Sequence, residues 1–120
     1  MSPPIVATYK VHVVGREEIK CEPVGGGGRF SARTTLSWES QDGGQYLLEF
    51  FVWDGIKETT QPDWPFVDDP PIPPNKATTA PGVPFQGVLK ATPSGHEGVY
   101  AYSISRDGFQ TLDPIIVVDN

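Results

Sequence analysis

The chain is poor in the residues that usually carry covalent or metal chemistry. It has one cysteine, Cys21, so no internal disulfide can form. It has one methionine, Met1, and two histidines, His12 and His96. A zinc site needs three or four clustered His, Cys, Asp or Glu ligands, and this set does not supply them. Nucleophilic catalysis needs a base within hydrogen-bond reach of a serine, threonine or cysteine. His12 falls in mid-strand and His96 in a turn between Gly95 and Glu97, so neither is paired with a nucleophile by the sequence. Cations are scarce as well: nine Lys and Arg against fifteen Asp and Glu leave a net charge of -6. Such a chain lacks the basic footprint that phosphate backbones and anionic membrane surfaces attract, so no nucleic acid and no membrane is expected as a partner. No apolar run approaches the ~18 residues of a spanning helix. The opening Met1-Ser2-Pro3-Pro4 shows no basic segment followed by an apolar one. That predicts a cytoplasmic protein, with an exported mature form as the alternative.

What the chain does have is alternation. Ile5, Ala7, Tyr9, Val11 and Val13 share one parity, with Thr8, Lys10 and His12 on the other. Ile19 and Cys21 repeat the pattern between charges, which makes Cys21 a small buried hydrophobe rather than a reactive thiol. Phe30, Ala32, Thr34, Leu36 and Trp38 alternate next. Tyr46 to Trp53 is apolar apart from Glu49, as suits a strand covered on both faces. The Asp42-Gly43 turn between these last two runs predicts a hairpin. Further strands are expected at Val83–Leu89, Val99–Ser105 and Ile115–Val118. Gly25 to Gly28 reads as a flexible loop, and the Arg29-Phe30-Ser31 after it offers neither the Lys-Ser/Thr nor the helix start of a phosphate cradle. No segment has a 3.6-residue period, although a helical turn near Ile56–Thr60 is compatible with the local sequence.

Residues 54–82 change character. Pro62 to Pro74 holds six prolines in thirteen residues. Proline lacks the ladder donor and fixes φ, so this is a stiff loop and not a central strand. It contains Asp63, Trp64, Phe66, Asp68 and Asp69, and Trp53 stands at its entry. Adjacent aspartates could hold calcium, but no EF-hand spacing is present. About seven strands with turns every 8–12 residues predict a single all-β domain over 1–120, a two-sheet sandwich carrying this proline-rich loop.

Three segments add a resemblance. Trp38 and its following turn precede the apolar strand Tyr46–Val52. Gly98-Val99-Tyr100-Ala101-Tyr102-Ser103-Ile104 looks like a penultimate strand, and Leu112-Asp113-Pro114-Ile115-Ile116-Val117-Val118 like a last strand. Together they resemble the cupredoxin-like fold, which implies a Greek-key sandwich. Copper-binding members of that family end the penultimate strand on a cysteine, with a histidine and a methionine following. Here that position falls on Ile104 or Ser103, and Ser105–Thr111 holds no His or Met. The resemblance therefore implies a metal-free relative, without cofactor and without electron transfer.

The function expected from these readings is a non-catalytic binding module. Trp64 and Phe66 would be apolar anchors for a protein partner, with Trp53 beside them. Asp63, Asp68 and Asp69 would form a rim favouring a basic partner. Two alternatives stand beside it: a carbohydrate-binding protein stacking sugars on loop tryptophan, and a self-assembling subunit pairing through the Val83–Leu89 edge.

Overall fold

The computed structural model describes residues 6–22, 24–52, 61–62, 64–67, 75–80, 82–91 and 98–119. Its strands are β1 (Val6–Val14), β2 (Glu18–Glu22), β3 (Gly28–Ser31), β4 (Thr35–Ser40), β5 (Leu47–Val52), β6 (Gln61–Pro62), β7 (Lys76–Thr78), β8 (Phe85–Val88), β9 (Gly98–Ser105) and β10 (Ile115–Asp119). A 3₁₀ turn, Val24–Gly26, joins β2 to β3. The smaller sheet runs β2-β1-β4-β8; the larger runs β3-β10-β9-β5-β6, with β7 also on β5. Both sheets are mixed, since β1 is parallel to β4 and β10 is parallel to β3. The chain is an all-β sandwich, as its alternation predicts.

Alternation decides the faces. Tyr9, Val11, Ile19, Cys21, Leu36 and Trp38 point inward from one sheet, and Leu48, Phe50, Tyr100, Tyr102, Ile104, Ile116 and Val118 from the other. Trp38 lies at the centre, fully buried, stacked on Tyr9 at 5.5 Å and on Phe85 at 5.8 Å between ring centroids. Phe50, Phe66 and Tyr102 meet it edge-on.

Two sequence readings are corrected. The alternating run Phe30–Trp38 is two strands in different sheets. Arg33 adopts a left-handed φ of 74° between them, and the chain crosses from β3 to β4 there. The turn at Asp42-Gly43 is likewise no hairpin: β4 belongs to the smaller sheet and β5 to the larger. Alternation is the same whether a strand stays in its sheet or leaves it, so the crossing points are silent in the pattern.

The glycine run is also not a loose loop. The Tyr9 hydroxyl donates to Gly27 O at 2.9 Å, and the Tyr102 hydroxyl donates to Gly26 O. Gly26 has φ 91°, and a Cβ there would stand 2.6 Å from the Tyr102 hydroxyl. Glycine is needed here for close approach as well as for backbone angle.

The described part of the proline-rich stretch is built into the body. After β6 has paired with β5, Trp64–Val67 crosses to the smaller sheet. There Val67 N donates to Val88 O at 2.8 Å and Lys90 N donates to Pro65 O at 2.9 Å. The side chains of Trp64 and Phe66 turn inward, 7% and 2% exposed. Trp64 meets Phe50 edge-on at 5.7 Å, and Phe66 fills the space over Gly87, where a Cβ would strike its ring. The outer edge of β5 is closed in turn by β7, by β6 and, between them, by Asn75. Asn75 O accepts from Phe50 N, and Asn75 Nδ2 donates to Phe50 O. The helical turn expected near Ile56–Thr60 lies outside the described residues.

Removing a buried aromatic leaves a cavity as well as losing its transfer free energy. Trp64→Ala is therefore expected to destabilise the fold by about 3–5 kcal/mol in denaturant titration. Gly87→Ala, which overpacks the same point, is expected to cost about 1–3 kcal/mol. Wild-type stability in Trp64→Ala would mean that the indole does not plug the sandwich.

Candidate functional site

The sequence-predicted site does not assemble as an exposed anchor. Trp64 and Phe66, expected to face a partner, are inside the aromatic core, because the segment that carries them is hydrogen-bonded along β8 and must turn alternate side chains inward. Trp53, Asp63, Asp68 and Asp69 lie outside the described residues, as does His96. Cys21 is 3% exposed. Burial, reinforced by the neighbouring Glu22 charge, pushes its thiol up to about 12 against a smaller lowering from the Tyr102 hydrogen bond, so it is a packed hydrophobe and not a poised nucleophile. Among the described residues no three His, Cys, Asp or Glu side chains converge as metal ligands.

A different site is built where the larger sheet ends. Asp42 sits in the turn between the sheets and gathers groups from four places. Its carboxylate accepts from Val13 N at 3.2 Å, Ser40 Oγ at 3.1 Å, Gly44 N at 2.9 Å and the Tyr46 hydroxyl at 2.7 Å. Arg106, at the end of β9, donates from Nη1 to Asp42 Oδ2 and to the Tyr46 hydroxyl, each at 3.3 Å. Its guanidinium carbon lies 5.4 Å from the Tyr46 ring centroid and 5.2 Å from that of Phe109. Gly44 is flush against the guanidinium, and any Cβ there would collide with it. The arginine is thus held by one ion pair, two aromatic rings and a glycine wall, which fixes the direction of its planar fork.

Beside it lies a surface groove of about 530 Å³. Leu47 of β5, Thr78 of β7 and Ser105 of β9 form its floor, being outward-facing neighbours by register. Gln45 and the turn Arg106-Asp107-Gly108-Phe109 with Thr111 form its walls. The lining offers planar donors, a carboxylate, an amide, three hydroxyls and one aromatic ring. Arg106-Asp107-Gly108 reads from the sequence as no more than a turn between two strands. The signal that could have found the site was opposite charge at Asp42 and Arg106, but the two are 64 residues apart and only the sheet crossing brings them together.

Burial would raise the Asp42 carboxyl, but its hydrogen bonds from Tyr46, Gly44, Ser40 and Val13 outweigh burial and hold it at about 2, below the ordinary 3.8. A carboxyl lowered on folding adds stability above its unfolded value, and that addition is lost as pH falls from 3.8 to about 2. Asp42→Asn is therefore expected to be about 1–2 kcal/mol less stable than wild type near pH 6. The gap should narrow as acid protonates the wild-type carboxylate, read from urea midpoints across the pH range. A gap that stays constant into acid would show that the ionised carboxylate is not the tie.

The chain matches no family model, no curated protein and no solved structure, so the reading of this site rests on its own geometry.

Proposed function

We propose that the protein is a non-catalytic binding module that takes a neutral, hydroxyl-rich ligand, a carbohydrate, in the groove beside Arg106. The observation that supports this is the convergence in one groove of planar hydrogen-bonding groups of both kinds with an aromatic ring. A sugar hydroxyl both donates and accepts, so it is best met by a donor and an acceptor side by side. Arg106 supplies the donor fork, Asp107 the acceptor, Gln45 both, and Phe109 an apolar edge for the ring C–H groups. The Asp42 carboxylate already offsets the Arg106 charge, which favours a neutral ligand over an anion. This reading keeps the carbohydrate expectation but moves it from loop tryptophan to the β9–β10 turn. The finer fold proposal remains a metal-free, cupredoxin-like Greek key. It is supported by the mixed sheets and by the absence of His and Met from Ser105–Thr111, where the resemblance would require ligands.

A second reading keeps the protein partner, with the aspartates of residues 63–69 drawing a basic surface. It is supported by the net charge of -6 and by the pinning of Trp64–Val67 to β8, which anchors the middle of the proline-rich stretch.

The test is a glycan array followed by amide-shift titration with the strongest binder. The expected outcome is shifts confined to Gln45, Thr78 and residues 105–111. Asp107→Ala, which leaves the Asp42 tie intact, should weaken binding about tenfold with an unchanged melting temperature. Absence of glycan binding, together with capture of a basic peptide sensitive to Asp68→Asn, would replace the first reading by the second.

A further inference from the structure

The outer face of the larger sheet carries a feature that the groove does not use. Inward burial of Phe50, Tyr100, Tyr102, Ile116 and Val118 leaves Phe51, Val99, Ala101, Ile115 and Val117 on the opposite side. Register sets these five in two adjoining rows: Phe51, Ala101 and Ile115 in one, Val99 and Val117 in the next. Ile115 is 40% exposed and the other four are half-buried. Every described strand belongs to one of the two sheets, and no described element forms a third layer over this face. A sheet face that meets water alternates to polar residues, and a contiguous apolar strip on it marks an interface.

The charges beside the strip point to its occupant. Glu49 and Lys76 flank it on one side, 4.0 Å apart, and Arg29 and Asp119 on the other, 2.6 Å apart. The exposed Asp113, on the same outward parity as Ile115 and opposite Ser103, adds a second anion to the Glu49–Lys76 flank. Both flanks thus hold charges of both signs, and the strip with its borders carries only a small part of the chain's net charge of -6. A basic partner would be drawn to the acidic surface elsewhere and not to this strip. A twofold interface, by contrast, must be complementary to itself. An apolar centre between two mixed-sign flanks meets that condition, because either flank can offer the opposite sign to whichever flank it meets.

We infer that the protein forms a homodimer by packing the outer faces of its two larger sheets together across this strip. This differs from self-association through the Val83–Leu89 edge, part of which Trp64–Val67 already covers. The inference is independent of the carbohydrate reading. The row of Glu49, Ser103 and Lys76 separates the strip from the groove, so the dimer leaves a groove open on each copy. Two open grooves would bind a repeating ligand more tightly than one through effective concentration alone.

The experiment is sedimentation equilibrium of the whole chain from about 5 to 500 μM, a range set for a standard-size or weaker interface. The expected mass rises with concentration from 13.1 kDa towards twice that value. Ala101→Glu places like charges at the centre of the two-fold contact and should weaken the dimer at least tenfold. Its side chain points away from the core, so its melting temperature as a monomer should stay near wild type. Ile115→Thr keeps a β-branched residue in the strand and should weaken the dimer while leaving the fold intact if Ala101→Glu does not express. A mass that stays at 13.1 kDa over the whole range would overturn the inference. So would a dimer that both variants form as tightly as wild type, because the contact would then lie elsewhere.

Discussion

The sandwich depends on burying Trp38 between its sheets. The indole contacts rings from both layers, and in doing so sets what may lie opposite each strand. It also buries an N–H donor that water cannot reach, and such a donor must find a partner inside. Trp38 Nε1 donates to the Tyr102 hydroxyl at 3.2 Å, and that hydroxyl donates onward to Gly26 O. One apolar requirement thus creates a polar one, and the polar one draws the glycine run onto the core. Burial holds the Tyr102 hydroxyl well above its ordinary titration range, so the chain of bonds stays neutral and intact.

The two ends of the sandwich are closed by different physics. On the side where β8 lies, an aromatic plug of Trp64, Phe66 and Phe85 fills the core, and backbone hydrogen bonds along β8 hold it in place. At the end where β4 hands over to β5, the closure is electrostatic. Asp42 collects backbone and side-chain donors from both sheets, and Arg106 locks over it. The proposed function draws on the second kind of closure. A packed plug leaves no directed polar groups at the surface, whereas a hydrogen-bonded tie leaves a fixed guanidinium beside a groove. The same outward face of the larger sheet then divides into a polar end at Leu47, Thr78 and Ser105 and an apolar end at Phe51, Ala101 and Ile115.

Much of this was legible beforehand, and the reason is periodicity. Tyr9 and Val11, Ile19 and Cys21, Tyr100, Tyr102 and Ile104 all face inward as their parity requires. Parity is a property of each strand by itself, so it survives without knowledge of neighbours. Proline and glycine were less informative. Of the Pro62–Pro74 stretch, the structure describes Pro62, at the end of the two-residue strand β6, and Trp64–Val67, which lies along β8. Proline content does not say that Trp64 and Phe66 would insert into the core, because insertion depends on a vacancy beside β8 that only the folded sheets create. The glycines at 25–28 announce freedom, whereas the structure uses them for closeness.

By itself, the amino-acid sequence determined the fold class, the inward face of the alternating strands and the scarcity of ligands for metal or nucleophilic chemistry, because these are local or compositional properties. The apolar run of β5, expected to be covered on both faces, buries Leu48 and Phe50 fully, while Leu47 and Phe51 face outward. The tertiary structure decided which strands share a sheet, where the chain crosses between sheets and which distant residues meet. Asp42 with Arg106, Trp38 with Tyr102, and Phe51 with Ile115 across Ala101 are all pairings of long sequence separation. Alternation carries no record of them, since a strand presents the same two faces whichever neighbour it takes. The groove and the apolar strip are made of such pairings, and they exist only once the sheets have closed.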